Sequence, residues 1–316
     1  MVDLIVQLPI LAISLIVLAS ASHFAIGSIE KIIGLTGLSE ASTGFVILAV
    51  MTSTPEILVG LFSILQGDPA ISIGTILGSN IFNVAAVLGI LGTLGYLKTC
   101  CTELLVELTD ILFLTTLIPL LLVISHYHLF NVSSPIVGAI LLGTFFVNIY
   151  LMTRKRMPPV KMNEVVEAPR KREAKTVIAK LLVSFVAVVV AARFVVYSGS
   201  NIAVLLGAPP ILIGAKVIAM GTSLPELTLD FVAVRRGRVQ LAIGDIIGSN
   251  LTNLTLVLGI VLITSPFQVN MTVFSEILPF MLITLVIFWR FLTRGGISQI
   301  GGIVLLMTYI LFQAVT

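Results

Sequence analysis

The chain has 316 residues, 58% of them hydrophobic and only 10% charged, with a formal net charge of +3. Soluble domains carry roughly 25% charged residues, so a soluble globular class is excluded and an all-α polytopic membrane protein is expected. Two cysteines, Cys100 and Cys101, stand side by side without a CxxC spacing, which offers no disulfide framework and reads as free thiols at a membrane edge.

A spanning helix needs about 20 mostly apolar residues. In chain order ten stretches qualify: 4–25, 39–65, 70–96, 106–126, 131–153, 176–199, 205–234, 239–264, 272–293 and 298–315. The first has no basic segment before it and reads as a span rather than a cleaved signal. Lys and Arg divide by side of the membrane. The connections at 66–69, 125–134, 200–204 and 264–270, and both termini, carry none, whereas the others hold Lys31, Lys98, the cluster from Arg154 to Lys175, Arg235, Arg236, Arg238, Arg290 and Arg294. This positive-inside pattern places both termini outside and the 154–175 loop in the cytoplasm. The expected organisation is a first five-helix unit at 1–153, a basic loop at 154–175 that reads as a solvated linker, and a second five-helix unit at 176–316.

The second and seventh spans carry the same phrase, TSTPE at Thr52–Glu56 and TSLPE at Thr222–Glu226. The offset of 170 continues without a gap. Gly44, Ala49, Ser53 and Pro55 match Gly214, Ala219, Ser223 and Pro225. Gly74, Gly78, Ser79, Asn80 and Asn83 match Gly244, Gly248, Ser249, Asn250 and Asn253. Five spans per unit invert the second copy, so the reading is ten helices in two inverted repeats. That is an architecture of secondary transporters, with the ion site at the midplane.

Each proline lacks an N–H and crowds the preceding turn, which frees backbone carbonyls inside the membrane. Such groups are tolerated only where they line a protein-walled cavity. Thr52 and Glu56 are four apart and are expected on one helix face, as are Thr222 with Glu226, Ser79 with Asn83, and Ser249 with Asn253. These are oxygen donors, suited to hard cations, and Ca²⁺ takes about 6–8 of them. No Cys or His joins the set, which argues against zinc or copper. Two intramembrane carboxylates are costly unless a cation or protons lie between them. The protein is therefore expected to switch sides mainly when loaded.

The segments TSTPEIL, ISIGTILGSNIFNVAAVLG, IGAKVIAMGTSLPEL and LAIGDIIGSNLTNLTLVLGI resemble the two repeats of the cation/Ca²⁺ exchanger superfamily, most closely its prokaryotic Na⁺/Ca²⁺ exchangers. The resemblance implies a secondary antiporter in a prokaryotic plasma membrane, exchanging Ca²⁺ for Na⁺ by alternating access, with spans 1 and 6 sliding across the other eight. It implies that Glu56, Glu226, Thr52 and Thr222 hold Ca²⁺. Flanking Na⁺ positions would use Ala49, Ser53 and Ser79, mirrored by Ala219, Ser223 and Ser249, and Asn83 and Asn253 would line the centre. No cofactor, nucleic acid or protein partner is implied beyond the ions and the bilayer. H⁺/Ca²⁺ exchange on the same two glutamates is the alternative, and a cation channel is a third reading. An enzyme is not expected, since neither HExxH nor GxSxG occurs. Several positions depart from the family pattern. Asn253 stands where an acid is frequent. Asp245 stands where a neutral residue is usual, and Asp230 lies four residues after Glu226. Lys216, two helical turns before Thr222, is expected to snorkel or to pair with an acid; the alternative is a direct role in which it repels cations entering from outside.

Overall fold

The computed structural model describes residues 2–36, 48–65, 67, 69–99, 102–127, 132–154, 171–205, 210–265 and 271–316. Among them the regular structure is entirely helical. The helices are α1 (Val2–Thr36), α2 (Ala49–Leu65), α3 (Pro69–Thr93), α4 (Glu103–His126), α5 (Ser134–Arg154), α6 (Lys171–Leu205), α7 (210–235), α8 (Val239–Thr264), α9 (Met271–Leu292) and α10 (Gln299–Val315). Helix is thus present in each stretch where a span is expected. Of the described runs, α3, α4, α8 and the 274–292 part of α9 are long and apolar enough to cross a membrane by themselves, and α7 adds a fifth when its bent halves count as one span.

Burial separates the roles of these helices. The apolar window of α3 is 94% buried and that of α8 83%, against 39% for α4 and α9. A helix apolar on all sides must be surrounded, so α3 and α8 form the centre while α4 and α9 keep much of their surface outward. The core between them includes Ile76, Leu77, Leu88, Ile246 and Leu258, closed by Phe274, Phe288 and Phe312. Helices α1 and α6 pack along one another, and α1 also rests on the second half of α7.

The 170-residue offset reappears in the element boundaries. The first segments of α2 and α7 both end on threonine, at Thr52 and Thr222, and new helices start at Thr54 and Leu224. In each new helix proline is the second residue, where its missing N–H removes no helix bond. Helices α3 and α8 begin at Pro69 and Val239, and each turns π-helical at the matched stretches Phe82–Val87 and Asn253–Val257.

Glycine sets how closely the central helices approach. A Cβ on Gly74 would sit 2.1 Å from the Ile211 carbonyl oxygen, and one on Gly78 2.1 Å from that of Ala215. Any side chain there would force α3 off α7. The close approach brings Ser79 next to Thr222.

Two boundaries differ from expectation. Helix α1 runs to Thr36 rather than ending near 25, and α6 starts at Lys171, inside the expected 154–175 loop. Apolarity marks only the hydrocarbon-spanning part of a helix. Lysine and arginine are good helix formers and extend helices past it. The rest of that loop (155–170) and the cysteine pair lie outside the described residues.

Candidate ion-binding site

The break in α2 corrects one sequence expectation. Thr52 and Glu56 do not share a continuous helix face, because Ser53 separates them: Thr52 ends one helix and Glu56 lies in the first turn of the next. The same holds for Thr222 and Glu226, where the halves of α7 meet at 43°. Each glutamate consequently sits at the positive end of a helix dipole, which favours a carboxylate.

The residues expected at the site are all buried, each at most 2% exposed. Glu56 is held by hydroxyls from other helices. Its Oε1 accepts from Ser79 at 3.3 Å and from Ser223 at 3.2 Å, and Ser79 also lies 3.5 Å from the Thr222 hydroxyl. Across the centre, Thr52 Oγ1 stands 2.9 Å from Ser249 Oγ and donates to Asp245 Oδ1 at 3.0 Å. Ser249 lies 3.5 Å from both Asp245 Oδ1 and the Ala49 carbonyl. The Ala49 and Ala219 carbonyls are not bare. Each accepts the serine N–H four residues on, at 2.9 and 3.0 Å, and the threonine hydroxyl three residues on, at 3.3 Å.

Asn80 and Asn250 form a lock that spacing did not single out as part of the site. Each amide donates to the backbone carbonyl of the other, at 3.2 and 3.3 Å. Their side-chain oxygens in turn accept from Asn83 at 3.1 Å and Asn253 at 3.3 Å. With their amide groups so engaged, Asn83 and Asn253 keep fully buried Oδ1 atoms without a hydrogen bond. The available signal was the repeat itself, which matches Asn80 to Asn250 as strictly as the serines beside them.

Several other buried oxygens have no donor: Ser53 Oγ, Glu56 Oε2, both oxygens of Glu226, both of Asp230, and Asp245 Oδ2. Glu226 is near enough to Glu56, Asp245 and Asp230 for their charges to act on it. Among the described residues no lysine, arginine or histidine is buried, and no three carboxylate, imidazole or thiolate groups converge tightly enough to hold a metal by themselves. A cation here would be shared between carboxylates and neutral oxygens, as hard ions are. Unpaired buried carboxylates in this number are strongly unfavourable without a positive partner.

Lys216 is not paired with an acid. It lies in the π-helical stretch Ile213–Ile218 of α7, and its ammonium donates to the Gln313 carbonyl at 3.1 Å, near the C-terminus of α10. A helix C-terminus is a natural seat for a cation, so the charge is engaged away from the acids.

Comparison with known proteins gives a consistent result. The family described as sodium/calcium exchanger protein matches residues 6–154 and 176–316. The sodium/calcium exchanger MaX1 of Methanosarcina acetivorans is 28% identical, over 97% of both chains. The inner membrane protein YrbG of Escherichia coli is 26% identical over 86% of this chain and 84% of its own. Among solved structures, the sodium-calcium exchanger NCX_Mj superposes with a TM-score of 0.79 at 24% identity, covering 99% of each chain.

Proposed function

The chain belongs to the sodium/calcium exchanger protein family, and from that premise we propose that it exchanges Ca²⁺ for Na⁺ across a membrane by alternating access. Glu56 and Glu226 are the divalent ligands, with the Thr52 and Thr222 hydroxyls and the inward Oδ1 atoms of Asn83 and Asn253. The observation that carries this reading is the placement of both glutamates. Each lies in the first turn of a helix at a proline-broken point, both are fully buried, and among the described residues neither is matched by a buried base. A divalent ion compensates two such charges, and the empty pair resists crossing between states, which ties transport in one direction to transport in the other.

In this reading the five-helix halves are inverted copies, both termini are outside, and the flanking serines with the Ala49 and Ala219 carbonyls serve Na⁺. A second reading, H⁺/Ca²⁺ exchange on the same glutamates, draws support from the buried carboxylates that exceed what one divalent ion needs. The test is ⁴⁵Ca²⁺ uptake into proteoliposomes at clamped voltage, driven by an imposed Na⁺ gradient or by an imposed pH gradient. Uptake driven by Na⁺ alone supports Na⁺/Ca²⁺ exchange. Uptake driven only by the pH gradient replaces it with the proton reading.

A further inference from the structure

The two halves are electrically unequal. At the 170 offset Asp230 stands opposite Gly60, and Asp245 opposite Thr75. In the first half both positions are closed. A Cβ on Gly60 would meet Val257 Cγ1 at 2.8 Å and Ser72 Oγ at 3.2 Å, and the Thr75 hydroxyl bonds the Ile71 carbonyl of its own helix at 2.8 Å. In the second half the same positions present two fully buried carboxyl groups within hydrogen-bonding reach of each other.

Asp245 changes what its neighbours do. By the repeat, Ser249 corresponds to Ser79 and should donate to Glu226 as Ser79 does to Glu56. Instead Ser249 and Thr52 both turn to Asp245 Oδ1, at 3.5 and 3.0 Å. Glu226, one helical turn before Asp230, is left with both oxygens buried and without a donor, as is Asp230 itself. This side therefore gathers three carboxyl groups and two hydroxyls, with five carboxylate oxygens open and no buried base among the described residues. Carboxylates in that condition call for a cation.

We propose that Asp230 and Asp245 join the Thr52 and Ser249 hydroxyls and make this one flanking Na⁺ position anionic, so that it is filled while a divalent ion sits between Glu56 and Glu226. The inference rests on the reading of those glutamates as the divalent pair. A monovalent occupant is indicated because Thr52 serves both positions. Two divalent ions sharing one hydroxyl would repel twice as strongly as a divalent and a monovalent ion at the same separation. The first half, with Gly60 and Thr75, has no such pair of acids, so the flanking sites differ in charge.

The test is retention of ²²Na⁺ by the purified full-length chain in detergent at saturating Ca²⁺, with N-methylglucamine replacing Na⁺ in the blank. One saturable Na⁺ per chain is expected. Asp230→Asn and Asp245→Asn should each weaken it at least tenfold, while Ca²⁺ still raises the melting temperature of both variants and so reports them folded. The wild-type measurement stands alone if a variant fails to fold. No saturable ²²Na⁺ in the wild type, a second saturable ⁴⁵Ca²⁺ in its place, or unchanged retention in both variants overturns the proposal. A wild-type protein whose melting temperature ignores Ca²⁺ overturns instead the divalent reading of Glu56 and Glu226.

Discussion

Glu56 and Glu226 occupy matched positions in matched phrases, yet the protein treats them differently. Glu56 receives two hydroxyl donors, Ser79 and Ser223, whereas Glu226 receives none: Ser249, the counterpart of Ser79, turns to Asp245, and Ser53, the counterpart of Ser223, makes no hydrogen bond. The backbone preserves the repeat closely, and the side-chain network does not. Helix breaks and π-turns follow from proline, glycine and local spacing, which duplication copies. Hydrogen bonds across the centre depend on single polar substitutions, and the carboxylate of Asp245 draws off one of them.

The largest effect expected is from Glu56→Gln and Glu226→Gln. Each removes half the charge of the divalent pair, and Ca²⁺ transport efficiency should fall at least about 100-fold, or roughly 2.7 kcal/mol, in ⁴⁵Ca²⁺ uptake. The comparison is sharpened by melting the variants in chelator. Glu226→Gln should stabilise the ion-free protein, since it neutralises a buried group without donors, and Glu56→Gln should do so less. Equal shifts would mean that the two glutamates are equivalent after all.

Next come Asn80→Ala and Asn250→Ala, which break the one lock spanning both halves evenly. Each keeps the backbone carbonyl that its partner's amide bonds but removes a side-chain acceptor, leaving the Asn253 amide unpaired in Asn80→Ala and the Asn83 amide unpaired in Asn250→Ala, so each should cost about 1–3 kcal/mol. The costs should add in the double variant, because each amide bonds a backbone carbonyl that survives the other's substitution. Clear non-additivity in thermal unfolding would argue that the two asparagines act as one unit.

Ser79→Ala and Ser249→Ala probe the difference itself. Removing one hydroxyl bonded to a charged group is worth about 1.5 kcal/mol, close to a tenfold change. The Na⁺ concentration for half-maximal exchange should rise in both, and less for Ser249→Ala, whose neighbourhood retains Asp245. Identical values would contradict the unequal flanking sites.

Much of this was readable in the sequence. The phrases TSTPE and TSLPE and their 170 spacing located the broken helices, the buried acids and the serine–asparagine stretches. The face shared by Thr52 and Glu56 was misread because a proline was treated as a defect in one helix, whereas it starts a second one at Thr54. The bond from Thr52 to Asp245, the Asn80–Asn250 lock and the seat of Lys216 on the Gln313 carbonyl all join residues far apart in the chain. No local periodicity encodes such contacts.

Lys216→Met should have the smallest effect. With its ammonium on a backbone carbonyl, the loss is about 1 kcal/mol of stability, and half-saturation for Ca²⁺ should stay unchanged in uptake assays. A clear rise in cation affinity would restore the reading in which Lys216 repels entering ions.

The central claim is obligatory exchange at a carboxylate pair that cannot cross empty. It is tested most directly by ⁴⁵Ca²⁺ uptake into proteoliposomes loaded either with Na⁺ or with N-methylglucamine, at equal voltage. Uptake in the Na⁺-loaded vesicles alone is the predicted result, and it should vanish in Glu56→Gln. Equal uptake without an internal counter-ion would contradict exchange and describe a channel.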